Sequence, residues 1–323
     1  MIRSVAVTGA TGFIGRHVAS ALKARDVAVT SVVRPGSRHK PPPDSTVVHA
    51  PLDADALRTA FAGIDAVIHL AGVVAAVDAR EYALVNTEGT RAVATAARDA
   101  GARLIHVSSL AAAGPAPASA PHRESDTPHP LTPYGVSKLE SERIVDGLQG
   151  LRSVILRPGV VYGPADRAVF PLFQAASRGL MPLVGREDAA YTFVHVDDVV
   201  RSIVAAVERG DVSGPVFVGH PVPVTPRHLL EAIQLAVGRR SRMLRVPMPL
   251  TFAVALAAEA AGRITRRPMP INLWRYREMA AEGFVCRVDR LRDELGVAPS
   301  VGLKEGIAQT AAWYRMAGWL RSA

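Results

Sequence analysis

Tyr134 and Lys138 stand four residues apart in "PYGVSK", Ser109 lies twenty-five residues upstream in "VSSLAAAG", and a glycine-rich "TGATGFIG" occupies positions 8–15. On a helix, residues i and i+4 share a face, so a lysine ammonium can lie beneath the tyrosine and make its phenolate less costly. An ordinary tyrosine, with a pKa of about 10, is too weak an acid to serve as a base at neutral pH without nearby positive charge. Thr132 and Pro133 read as N-cap and first helical residue, which puts Tyr134 in the first turn, where the helix dipole acts in the same direction. The chemistry these residues suit is removal of a proton from an alcohol, or its return to a ketone, beside a nucleotide site.

The elements that must position them alternate. Short β-branched runs near 2–8, 27–33, 46–50, 65–70, 103–108 and 152–157 predict strands, and alanine-rich runs near 13–24, 54–61, 79–100 and 132–148 predict helices. That alternation describes an α/β fold, a doubly wound parallel sheet with helices on both faces. The irregular stretch 113–133, rich in proline, serine and histidine, empties into Tyr134 and reads as an active-site wall. After "RPGVVYGP" at 157–164 the alternation fades. The expected organisation is a dinucleotide-binding domain over 1–164, to which 191–219 returns, and a substrate lobe over most of 165–323. In 191–210 a strand precedes a helix that Asp197 or Asp198 could cap.

Composition removes several functions. Hydrophobic residues make up 49% and charged residues 21%, which fits a folded globular chain. A lone cysteine, Cys286, excludes a disulfide framework, fits a reducing compartment and so suggests the cytoplasm. The strand-like "SVAVTG" begins too early to leave room for a signal peptide. The net charge of +9 comes from scattered arginines, and aromatics are 5%, a pattern unlike a nucleic-acid module. Ten histidines occur without H-E-x-x-H or a second cysteine, so no metal is implied. The apolar "PMPLTFAVALAAEAAG", flanked by "GRRSRMLR" and "GRITRR", is too short and too interrupted by Glu259 to span a membrane. It reads as a packed helix with solvated arginines, peripheral contact with an anionic membrane being the alternative. Trp313, Tyr314 and Trp319 read as packing residues of a terminal helix.

Gly9, Gly12 and Gly15 fall at the turn from the first strand into the first helix, where glycine lets the backbone approach a pyrophosphate and unpaired helix amides receive it. The residue ending the second strand discriminates between the nicotinamide cofactors, since an acid there accepts from a free ribose 2′-hydroxyl. Here it is Arg34, followed by Arg38 and Lys40 with no acid, so NADP(H) is expected over NAD(H).

With "HLAG" at 69–72, "NTEGT" at 86–90, "RPGVVYGP" and "FVHVDD" following in order, the chain resembles the extended short-chain dehydrogenases/reductases over nearly its whole length. The resemblance implies a Rossmann-type sheet with a smaller, partly interleaved C-terminal lobe. It implies Tyr134 as acid/base, Lys138 as holder of the nicotinamide ribose, and Ser109, in preference to Ser108, as the residue orienting the substrate oxygen. The cofactor set it implies is Gly9, Thr11, Gly12, Phe13, Ile14, Gly15, Arg34, Asp53 on the adenine side, Leu70, Ala71, Gly72, Tyr134, Lys138, and Pro158 against the nicotinamide. Asn86 is structural or part of a proton relay. A homodimer through helices 79–100 and 132–148 is implied too.

Departures from the family's patterns narrow the chemistry. Dehydratases of this family carry an Asp–Glu pair where this chain has Leu110 and Ala111, so elimination is not expected. Nucleotide-sugar epimerases carry an asparagine and an arginine for the substrate diphosphate, and the matching positions here are Val160 and Tyr191. The expected substrate is therefore a small molecule with a secondary alcohol or ketone on a hydrophobic skeleton, as in the 3β-hydroxysteroid dehydrogenase and dihydroflavonol reductase branch. Epimerisation of a nucleotide sugar and a scaffold that binds cofactor without turnover are the alternatives.

Overall fold

A computed structural model describes residues 2–320. Seven parallel strands form the central sheet: β1 Ser4–Thr8, β2 Ala28–Val33, β3 Thr46–His49, β4 Ala66–His69, β5 Arg103–Val107, β6 Ser153–Pro158 and, after four strands outside the sheet, β11 Pro215–Val218. Their spatial order is β11-β6-β5-β4-β1-β2-β3. The order reverses between β1 and β4, and the crevice at the carboxyl ends of those strands is where doubly wound sheets take ligands.

Strand residues alternate between two cores because side chains project to opposite faces with a period of two. On one face Val5, Val7, Ile68, Ile105 and Leu156 pack with Val18 and Leu22 of α1 (Phe13–Lys23) and Val199 and Ile203 of the later helix Val196–Glu208. On the other, Ala6, Val67, Leu104 and Ile155 pack with α2 (Ala54–Ala60) and with Val93 and Ala97 of a helix that ends at Asp99.

The predicted helix 79–100 is three pieces: α3 (Ala79–Tyr82), a π-helical turn Ala83–Glu88, and α4 (Gly89–Asp99). The π turn carries Asn86, whose amide holds Val73 N and Val73 O and donates to Ser137 Oγ. α5 (Pro133–Gly147) starts as the sequence implies, with the Thr132 hydroxyl accepting from Gly135 N at 3.3 Å and proline in the first turn.

The smaller lobe gathers short pairs of parallel strands: β7 (Val160–Tyr162) with β10 (Phe193–His195), β8 (Leu180–Leu183) with β12 (Arg242–Arg245), and β9 (Ala190–Tyr191) with β13 (Gly283–Phe284). Its core joins Phe173 of α6 (Phe170–Ser177), Ile233 of α8 (Pro226–Val237) and Tyr314 of α12 (Leu303–Met316). Trp319 stacks on Tyr314 at 5.6 Å and meets Trp313 edge-on at 5.0 Å, a packing role.

One expectation needs correction. α7 (Val196–Glu208) is capped by neither aspartate: the buried His195 is its N-cap, with Nδ1 accepting from Asp197 N at 3.4 Å. Asp198 is buried and instead accepts from Ser300 N and Val301 N, pinning the segment before α12. The apolar run 247–262 forms α9 (Met248–Thr265), but this helix is not packed all round; it rests on α10 (Leu273–Ala280), and α11 (Asp289–Asp293) follows. No helix of the described residues is long and apolar enough to cross a membrane.

Candidate active site

The glycine turn between β1 and α1 has no room for side chains. A Cβ on Gly9, whose φ is +75°, would lie 2.6 Å from Ala71 N, and one on Gly15 would lie 2.3 Å from Gly9 O. The turn therefore abuts the Leu70–Ala71–Gly72 segment beyond β4. Gly12, the N-cap of α1, supplies no side-chain cap, which leaves the first-turn amides, around Phe13 and Ile14, to meet a ligand. Such a cradle fits a dinucleotide pyrophosphate.

Arg16, which sequence reasoning passed over, ties this turn to the loop after β2. Its Nε donates to Thr11 O at 3.1 Å and its Nη2 to Lys40 O at 2.7 Å. Arg34 is exposed at the end of β2. Asp53 caps α2, with Oδ1 accepting from Asp55 N and Ala56 N at 3.1 Å each, which leaves Oδ2 free of hydrogen bonds among the described residues. Pro158 ends β6, in register with Val218 of β11.

Ser109, Tyr134 and Lys138 converge at the carboxyl end of β5. Ser109 caps the 3-10 turn Leu110–Ala112 by accepting from Ala111 N at 3.2 Å. Helix α5 presses on that turn, since a Cβ on Gly135 would lie 2.4 Å from Ala111 O. This close approach sets Tyr134 beside Ser109, whose hydroxyl favours the phenolate. Ser108 faces away: its hydroxyl donates to Glu142, which is buried in an ion pair with Arg157 at 2.6 Å.

Beneath α5 a polar network ties this helix to the sheet. Lys138 Nζ donates to Val107 O at 2.9 Å. Ser141 Oγ donates to Lys138 O and lies 3.0 Å from His106 Nε2. His106 stacks on His69, which spans Thr8 and Thr90 at 2.7 and 3.0 Å. Burial, helped by Lys138, holds His69 down to about 3 and His106 well below its usual value, so both rings are neutral under the lysine.

The expected lowering of the Tyr134 pKa by Lys138 is absent from this arrangement. The lysine is committed to the Val107 carbonyl, and burial raises the tyrosine, opposed by the Ser109 hydroxyl and by Arg275. Burial also lowers Lys138 from 10.5 to about 8. In the ligand-free protein an isotope-labelled Lys138 should therefore titrate near pH 8 by NMR. Added dinucleotide should move that midpoint upward, because its phosphates favour the ammonium. A midpoint near 10.5 without ligand contradicts the burial.

The other wall joins the expected 113–133 stretch to α10, a segment that carried no signal. Tyr82 lies 5.9 Å from the Tyr134 ring and 5.7 Å from Trp274 of α10. Thr132 donates to Glu278 of α10 at 3.4 Å. Tyr191 is half-buried and stacks on Phe284 at 6.3 Å. The 113–133 segment is anchored, with Ala116 N donating to Gly283 O, Val285 N donating to Ala116 O, His122 N donating to Val285 O, and Phe217 N donating to Glu124 Oε1. A cleft of about 650 Å³, lined in part by Phe193, Val222, Leu235 and Leu303, includes none of the Ser109, Tyr134 or Lys138 side chains.

The arrangement can hold a dinucleotide along the β1–β4 crevice and move a proton at Tyr134. Comparison with known proteins bears on the dinucleotide. The family model described as "NAD dependent epimerase/dehydratase family" matches residues 5–219. A ceramide reductase of Caulobacter vibrioides (strain NA1000 / CB15N) is 31% identical, over 98% of this chain and 96% of its own. A 4-hydroxy-2-methyl-3-oxo-4-farnesyl-3,4-dihydroquinoline-1-oxide ketoreductase of Stigmatella aurantiaca is 30% identical, over 75% of each chain. Among solved structures, the UDP-glucose 4-epimerase of Thermus thermophilus in complex with NAD superposes with a TM-score of 0.78 at 26% identity, covering 97% of this chain and 99% of that one.

Proposed function

Because the chain belongs to the NAD dependent epimerase/dehydratase family of extended short-chain dehydrogenases/reductases, and is an NAD(P)-dependent oxidoreductase of that type, we propose that it interconverts a secondary alcohol and a ketone on a hydrophobic substrate that is not a nucleotide. The observation that carries this reading is the wall opposite Tyr134. Tyr82 lies against Tyr134 with Trp274 behind it, the aromatic pair Tyr191 and Phe284 adds apolar surface, and the resemblance matches Val160 and Tyr191 to the positions at which epimerases hold a diphosphate. The ceramide and farnesyl-quinoline reductases are named for apolar substrates, which supports the same choice.

In this account Gly9, Gly12 and Gly15 admit the pyrophosphate to the amides of α1, Thr11, Phe13 and Ile14 line it, and Leu70, Ala71 and Gly72 flank it across the switch point. Asp53 offers its free oxygen to the adenine side, and Pro158 lies against the nicotinamide. A nicotinamide bound there supplies or accepts the hydride. Tyr134 gives its proton to the ketone oxygen in reduction and takes it back in oxidation. Ser109 orients that oxygen, and Lys138, once freed from the Val107 carbonyl, holds the ribose. Asn86 links Val73 to Ser137.

We assign NADP(H) as the preferred cofactor, since Arg34, Arg38 and Lys40 offer a 2′-phosphate charge-assisted donors and the end of β2 has no acid. Titration with both dinucleotides should give tighter binding of the phosphorylated form, and Arg34→Ala should weaken that form alone, by roughly tenfold, the size of one charge-assisted bond. Equal or tighter binding of the unphosphorylated form rejects the assignment. Exposed Leu84 and Val136 on the helices flanking the site support a homodimer there, and the single buried Cys286 suits the cytoplasm.

A further inference from the structure

Helix α9 buries only Thr251, Ala255 and Gly262. Its one charge before Arg263 is Glu259, which is turned inward, accepting from Leu273 N of α10 and pairing with Arg263. The opposite face carries Leu250, Val254, Ala257 and Ile264, spaced to share one stripe. Leu250, Val254 and Ile264 are 55%, 46% and 84% exposed. An uncharged stripe on a helix about 27 Å long is unusual on a water-facing surface.

Arginines flank that helix on both sides in the sequence. Arg240 and Arg242 precede the helix, Arg266 and Arg267 follow it, and all four are exposed without an ion-pair partner among the described residues. We infer that α9 docks flat on an anionic lipid bilayer, its apolar stripe in the acyl–headgroup boundary and the arginines at its two ends on lipid phosphates. The charge pattern selects this occupant. A two-fold contact with a second copy would bring arginine-rich ends together, whereas a lipid surface supplies anions at both ends and hydrocarbon between them.

The surface lies one helix away from the site. Phe252 of α9 meets Tyr276 of α10 at 5.3 Å, and Trp274 and Glu278 of α10 reach Tyr82 and Thr132. Docking therefore sets the bilayer against the outer side of the substrate wall. This consequence rests on the proposed apolar substrate, but the docking itself does not.

Flotation of the full chain with phosphatidylcholine vesicles, with and without phosphatidylglycerol, tests the inference. The protein should float with the anionic vesicles and far less with the neutral ones, and added salt should release it. Val254→Glu/Ile264→Glu should abolish flotation. Arg266→Glu/Arg267→Glu should reduce it by about tenfold or more, what reversing two surface cations costs. Both variants should keep the wild-type circular dichroism and its rate on a short, water-soluble ketone. Failure of the wild type to float, or flotation of Val254→Glu/Ile264→Glu like wild type, overturns the inference. So does a wild-type dimer that this variant splits, since the face is then a homotypic interface. A wild type that floats yet reduces no apolar ketone supports the surface and refutes the reading of the reaction.

Discussion

A Tyr134→Phe enzyme should lose turnover by about 10²–10⁴-fold, the usual contribution of a positioned acid or base, while binding the dinucleotide as the wild type does. The hydroxyl is the only atom removed, and the ring keeps its packing against Tyr82. Gly135 still presses on Ala111, so the start of α5 is undisturbed. The direction of the pKa shift adds a second expectation. Burial raises Tyr134, so its hydroxyl is protonated through neutral pH and ready to donate. Ketone reduction should then be flat through neutrality and fall only at alkaline pH. Alcohol oxidation, which needs the proton gone, should climb as pH rises. Steady-state kinetics with a dinucleotide-binding titration on the same preparations reads both. Surviving turnover in the phenylalanine variant removes Tyr134 from the proton path.

The largest loss of stability is expected from Arg157→Met. Arg157 and Glu142 are almost fully buried, and their bonds include one of 2.6 Å, with Ser108 donating to the same carboxylate. Removing the arginine leaves a carboxylate uncompensated in the interior, which costs about 3–5 kcal/mol. Glu142 lies one turn beyond Lys138 on α5, so the damage falls under the catalytic helix. The double variant Glu142→Leu/Arg157→Met removes both charges and should recover most of the loss. Denaturant unfolding of the two singles and the double closes the cycle. If the single variant loses under about 1 kcal/mol, the pair is not the anchor described.

What could be read from the chain was whatever has a local cause. The strands alternate or run apolar, the helices start at recognisable caps, and Thr132 with Pro133 fixed the phase of Tyr134 and Lys138 on one helix face. The glycine turn was legible because its clearance against Ala71 and Gly9 admits no side chain. The α10 side of the site was not, because Trp274 against Tyr82 and Glu278 against Thr132 come from a segment with no periodic signal and reach the site through tertiary packing alone. The His69–His106 stack was hidden because strand histidines look alike whether or not they face a polar layer. His195 displaced the aspartates as the cap of α7 because its ring nitrogen reaches the Asp197 amide, a geometry that residue type does not reveal. Residue spacing places the Lys138 ammonium near the phenol but does not reveal that the Val107 carbonyl at the end of β5 holds it.

The proposed reaction is net hydride transfer to a carbinol carbon of an apolar skeleton. Incubating the enzyme with reduced dinucleotide carrying deuterium at C4, together with an apolar ketone and, separately, a UDP-sugar, tests it in one experiment read by mass spectrometry. Deuterium should appear at the carbinol carbon of the new alcohol, with oxidised dinucleotide formed in equal amount and the UDP-sugar unchanged. Interconversion of the UDP-sugar epimers without net change in the dinucleotide, and no label in the ketone product, would contradict it.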